Sequence, residues 1–146
     1  MKRKGILNRQ LLELLSTVGH GDMIAVTDRG FPLPRRGETR VIDLGIVPGL
    51  PSFEDLLFPL LDELVVEGYI LAEETFKYNP EMIEHLRNCP AIKSDEGIVE
   101  QVIPHSDFKG LVLSEGRNGH PSLAGCIRTG EFTKYTNVIL ICGVAF

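Results

Sequence analysis

The chain has 146 residues, 43% hydrophobic and 24% charged, with 15 Lys and Arg against 20 Asp and Glu for a formal net charge of −5. That length and balance fit one domain over 1–146 with its own core, able to bury roughly 68–70% of the surface an unfolded chain exposes, and exclude disorder, a collagen-like repeat and a membrane span. A sequence pI near 5.4 without clustered Lys and Arg argues against a general nucleic-acid binder.

In chain order, Asn8 caps a helix predicted over 8–18, whose Leu11, Leu12, Leu14, Leu15 and Val18 form one apolar stripe, with Gly19 as its left-handed stop. Met23–Thr27 reads as a buried strand and Arg40–Leu44 as a second. Ser52 with Asp55 three residues on makes a partial capping box for a helix to about Val65. Tyr69–Glu73 is a strand candidate. Asn79-Pro80, a cap followed by proline at the first helical position, opens a helix to about Arg87. Val99–Ile103 reads as a strand, Ser106–Ser114 as a short helix, Glu115–Gly125 as an exposed loop, and Cys126–Thr129 and Val138–Cys142 as closing strands. Short apolar strands alternating with helices predict an α/β fold with a mostly parallel central sheet and helices packed over it. The last nine residues are apolar, so the terminal strand is expected to lie within the sheet or under a neighbour.

Cys89, Cys126 and Cys142 are odd in number and lack CxxC spacing, which fits ordinary thiols in a reducing cytoplasm. MKRKG is not followed by the apolar stretch of a signal peptide. There is no GxGxxG, no GxxxxGK[ST], no GxSxG, and no HxH or HxxxH among His20, His85, His105 and His120. A nucleotide enzyme, an α/β-hydrolase and a metal hydrolase are disfavoured.

Three polar clusters remain. His20 lies between two glycines before the first strand, where it can approach a ligand and exchange a proton near neutral pH, or simply sit by a helix C-terminus. Asp22 caps the turn before the strand. Asp28 leaves the carboxyl end of that strand, where open α/β sheets bind ligands, although an aspartate there also forms turns. His105, in Pro104-His105-Ser106-Asp107-Phe108, again stands between a strand end and a helix start; the plainer reading is a solvated residue before a cap. Arg128–Asn137 is unusually polar between two apolar strands. Tyr135 and Asn137 offer a ring face and an amide suited to sugar hydroxyls, or else a core tyrosine and a turn-capping asparagine.

Together KGILN (4–8), GHGD (19–22), DRGFPLP (28–34), IDLGIVPGLPSF (42–53) and the tail IRTGEFTKYTNVILICGVAF (127–146) resemble the D-ribose pyranase / L-fucose mutarotase family, the tail looking like its pyranase branch. The resemblance implies a Rossmann-like three-layer α/β/α domain in ring-like homo-oligomers (pentamer, octamer or decamer) with sugar sites at subunit contacts. It implies cofactor-free, metal-free exchange of β-D-ribopyranose with β-D-ribofuranose in the cytoplasm. By motif, His20 is the implied proton donor, and Asp28, His105, Tyr135, Thr136 and Asn137 the implied sugar ligands. Arg29 replaces a usual small residue, Arg35-Arg36 follow the prolines, Lys134 stands where a proline often precedes the tyrosine, and the 115–125 loop with His120 looks like an insertion. A fucose-type mutarotase and a non-catalytic sugar-binding protein are the competing expectations; the proton donor separates the last from the other two.

Overall fold

Runs of β-branched and aliphatic residues form the centre of the molecule. In the computed structural model, which describes residues 1–35, 37–116 and 121–146, six strands make one sheet: β1 (Met23–Thr27), β2 (Arg40–Asp43), β3 (Val66–Ala72), β4 (Val99–Ile103), β5 (Leu123–Arg128) and β6 (Val138–Cys142), in the order β2-β5-β1-β6-β3-β4. β1, β2 and β5 run parallel to one another, as do β3 and β4, and β6 lies antiparallel between β1 and β3. The sheet is therefore mostly parallel, as expected, with one reversed strand. That reversal gives Val138–Cys142 two partners at the centre of the sheet, while Val144 and Phe146 beyond it stay exposed.

Side chains alternate between two cores, as the period of two along a strand requires. Ile24, Val26, Tyr69, Leu71, Val138 and Leu140 face a layer containing α1 (Arg9–Leu15), α2 (Phe53–Glu63), α4 (Pro80–Asn88) and α5 (Pro90–Lys93). Met23, Ala25, Ile70, Ala72 and Ile139 face α6 (His105–Leu113) and Phe31. These are the three layers. The one-turn α3 (Thr75–Tyr78) precedes α4.

The caps follow the residues. Asn8 Oδ1 accepts the Leu11 N–H at 3.1 Å, Ser52 and Asp55 exchange both bonds of a capping box, and Asn79 Oδ1 accepts the Met82 N–H ahead of Pro80. The first helix stops at Leu15, short of 18, and Gly19 is not its stop. The hydroxyls of Ser16 and Thr17 bond back to the carbonyls of Glu13 and Leu14, closing the last turn early. The second helix ends at Glu63, and β3 begins at Val66 rather than Tyr69. The expected loop through Gly125 ends sooner, because β5 starts at Leu123. Gly125 is there because a Cβ would run into Leu14 of α1. His120 and Arg36 lie outside the described residues. Cys126 and Cys142 are buried free thiols, pushed up to about 12 and about 11 chiefly by that burial, and Cys89 is a half-buried free thiol. Among the described residues no helix is long and apolar enough to cross a membrane.

Candidate functional site

β1, β4 and β6 bring four of the sequence-flagged residues to one end of the sheet. Asp28 follows β1 and is only 6% exposed; Asn137 precedes the antiparallel β6 and is fully buried. The two form a closed pair. The Asp28 N–H donates to Asn137 Oδ1 at 2.9 Å, and Asn137 Nδ2 donates to Asp28 Oδ2 at 3.1 Å. The other carboxylate oxygen accepts the Gly30 N–H at 2.9 Å. Burial nevertheless raises the Asp28 carboxyl above its ordinary pKa. The Asn137 amide, the Gly30 and Tyr135 N–H groups and the charge of His105 oppose that rise without cancelling it.

His105 opens α6. Its N–H donates to Glu74 at 2.8 Å, and its ring is held edge-on to Phe31 and to Tyr135, with centroids 5.9 and 4.8 Å away. It is thus packed among aromatic rings rather than solvated before a cap. Nδ1 of that ring is buried without a hydrogen-bond partner, an unspent polar group of the kind that collects at binding sites. Tyr135 takes a left-handed backbone (φ 62°), costly for a residue with a Cβ, and stacks on Tyr78 at 5.0 Å. Its carbonyl accepts the Thr75 hydroxyl at 2.6 Å, which ties the turn to α3. The neighbouring cleft, about 270 Å³, is bounded by Asp28, Arg29, Gly30, Glu131, Phe132 and Lys134, a size for a small ligand. A larger cavity of about 670 Å³ lies elsewhere, around Thr39, Arg40 and Gly116, and none of these residues touches it.

The remaining two flagged residues are placed differently. Thr136 is buried, and its hydroxyl accepts the Asn79 amide at 3.0 Å, so that side chain is committed inside the protein. His20 stands before β1, at the opposite end of the strand from Asp28. Five strand residues at roughly 3.3 Å each separate the two ends by about 16 Å. His20 is exposed, and its Nε2 meets Glu67 Oε2 at 2.8 Å. Asp22 accepts the Gly19 N–H, as a turn cap should.

The unusual residues also find partners. Arg29 grips Asp43 through two bonds of 2.5 and 2.9 Å, and Arg128 adds a third, holding the Asp43 carboxyl well below the usual range. Lys134 Nζ lies 4.2 Å over the Tyr78 ring. Phe31, Tyr78 and Glu67 were not anticipated from the sequence, and Asn79 was read as a helix cap but not as the partner of Thr136. Glu67 leaves one usable signal, a lone carboxylate in the apolar run Val65–Leu71; the aromatic residues leave none, since their contacts depend on strand order.

The model of the RbsD / FucU transport protein family matches residues 1–145. The chain is 39% identical over 146 residues to the D-ribose pyranase of Geobacillus kaustophilus (strain HTA426), covering 100% of this chain and 96% of that one. It is 39% identical over 146 residues to the D-ribose pyranase of Kosmotoga olearia (strain ATCC BAA-1733 / DSM 21960 / TBF 19.5.1), covering both completely. Bacillus subtilis RbsD, solved in complex with D-ribose, superposes with a TM-score of 0.82 at 38% identity over the full length of both chains. The fucose mutarotase of Streptococcus pneumoniae shares the fold, with a TM-score of 0.62 at 19% identity over 95% of this chain and 94% of that one. The chain belongs to the RbsD / FucU transport protein family.

Proposed function

We propose that this chain is an isomerase that interconverts β-D-ribopyranose and β-D-ribofuranose by acid–base ring opening and closure. The observation that carries the reading is the convergence of Asp28, His105, Tyr135 and Asn137, all from motif positions, at one end of the sheet, where Asp28 also borders a cleft. Full-length identity of 38–39% to D-ribose pyranases and to a protein solved with D-ribose supports the substrate.

The two ring forms exchange through the open-chain aldehyde. Opening needs a proton on the ring oxygen and loss of the anomeric hydroxyl proton; closure on a different hydroxyl needs the same transfers in reverse. The reaction proceeds in water unaided, so positioned acid–base groups supplying about 10²–10⁴-fold suffice. The carboxylate of Asp28, made more basic by burial, accepts sugar hydroxyls. Asn137 keeps it fixed, and the unspent His105 ring supplies a second polar contact. Tyr135 presents its ring to a C–H face of the sugar, and its left-handed turn sets the 135–137 segment against Asp28. Thr136 contributes through that backbone, its hydroxyl being engaged by Asn79.

His20 is the proton donor. Its distance from Asp28 within one chain means that a second copy supplies it. The working unit is a homo-oligomer, ring-like and cytoplasmic, with sites shared across subunit contacts.

Magnetisation-transfer NMR on D-ribose tests the reading. Added protein is expected to speed pyranose–furanose exchange; an unchanged exchange rate at saturating protein overturns it. The same measurement on L-fucose reports anomer exchange and would favour a fucose mutarotase if it alone were accelerated.

A further inference from the structure

β3 is buried along its length except at Glu67. The strand is irregular there. Val66 pairs with Cys142 and Gly68 with Ile141, so Glu67 is the extra residue of a bulge in the ladder to β6. Bulges re-aim a side chain, and this carboxylate meets His20, with Oε2 2.8 Å from Nε2. The loop carrying His20 is pinned to the same place. The Gly21 N–H donates to the Cys142 carbonyl, and the Cys142 N–H to the Asp22 carbonyl, each at 2.8 Å. Gly143 donates to the Val65 carbonyl, and a Cβ on Gly143 would come within 3.3 Å of the Glu67 backbone. His20 and Glu67 thus stand on one hydrogen-bonded patch built from the 19–22 turn, the start of β3 and the end of β6. The nearby Asp22 carboxylate accepts the Gly19 N–H, and among the described residues Glu67 is the carboxylate in contact with the ring.

On the reading that His20 moves the proton, we propose that Glu67 is its positioning residue, accepting Nε2–H and so assigning proton transfer to Nδ1. An ionised carboxylate only accepts, so the neutral ring carries its hydrogen on Nε2 and its lone pair on Nδ1. In the imidazolium form, Nδ1–H passes its proton to the sugar ring oxygen as the C1–O ring bond breaks. The emptied Nδ1 then takes the anomeric hydroxyl proton as that O–H electron pair becomes the C1=O bond, which restores the imidazolium. Glu67 stays ionised throughout, the role a carboxylate plays behind a catalytic histidine elsewhere. Without it the ring divides between tautomers and rotates freely.

The test uses the assembled protein. Glu67→Gln keeps shape and loses charge; it is expected to lower kcat for ribose exchange about 10- to 100-fold, the scale on which losing the partner that orients a metal-bound histidine acts, with KM unchanged. Ring-labelled His20 should report the Nε2–H tautomer in the parent and a mixture in Glu67→Ala. Wild-type kcat in Glu67→Gln, with His20→Ala inactive, overturns the role of Glu67 alone. Full activity in His20→Ala overturns the proton-donor reading and this inference with it. A raised KM at unchanged kcat would make Glu67 part of the sugar contact and also overturn it.

Discussion

At the carboxyl end of β1, Asp28 is 6% exposed and both of its carboxylate oxygens are held, by Asn137 and Gly30; at the amino end of the same strand, the His20 side chain is 62% exposed with one partner, Glu67, itself 44% exposed. On the proposed reading the buried end is organised in advance for a neutral polar ligand. Asp28 and Asn137 hold each other, the aromatic rings pack edge to face, and one imidazole nitrogen is left over. The exposed end is a single surface contact between an imidazole and a carboxylate, and exposed contacts of this kind are worth about 0–1 kcal/mol even when both groups are charged. It becomes a strong and directional contact only when something covers it and lowers the local dielectric. On the proposed reading one end binds and the other donates, and each lacks what the other has. That division is what an assembly of copies, as proposed, would bring together.

The comparison can be broken at either end. The largest effect is expected from His20→Ala, which should lower exchange by about 10²–10⁴-fold while ribose affinity stays within a few-fold; magnetisation transfer and a ribose titration read the two quantities separately. Asn137→Ala comes next. It strips the Asp28 carboxylate and N–H of their partner in a buried place, and should cost about 1–3 kcal/mol in urea unfolding at fixed protomer concentration while also raising KM.

The pH dependence should separate the ends further. The Asp28 carboxyl is raised in the fold, chiefly by burial. Protonation removes the acceptor, so kcat/KM should fall on the acid side at a pH above the ordinary carboxylate value of about 3.9. The stability linkage has the opposite sign. A raised carboxyl favours the fold below its unfolded pKa, and that contribution is lost as pH rises through the folded one. Asn137→Ala, which removes a group favouring the ionised form, should move the acid limb higher still. The smallest effect is expected from Thr136→Val. Losing the bond from Asn79 should cost about 1 kcal/mol of stability and leave KM unchanged.

Much of this was legible in the sequence, and the parts that were not share a cause. Met23–Thr27 and Val138–Cys142 stood out because a short apolar β-branched run has few other homes, and the caps at Asn8, Ser52 and Asn79 because side-chain oxygens satisfy free N–H groups locally. The direction of β6 was not readable, since an apolar run carries no sign of which way it runs. The start of β3 was hidden because Leu64-Val65-Val66 continues the apolar pattern of α2. The single-turn helices α3 and α5 are too short to show a period. Asp28, His105, Tyr135 and Asn137 could each be flagged from strand ends, but their meeting depends on β6 lying between β1 and β3. The separation of His20 from Asp28 was implicit in their flanking one strand. Glu67 needed the bulge to be seen.

Subunit complementation tests the shared site most directly. His20→Ala and Asp28→Ala proteins, each inactive alone, are unfolded together, refolded as mixed assemblies and assayed for ribose exchange. If His20 and Asp28 of each site come from different copies, about one site in four regains both residues, and close to a quarter of wild-type activity returns. Mixed assemblies that remain as inactive as the separate variants would place both residues in one chain's site and contradict the account.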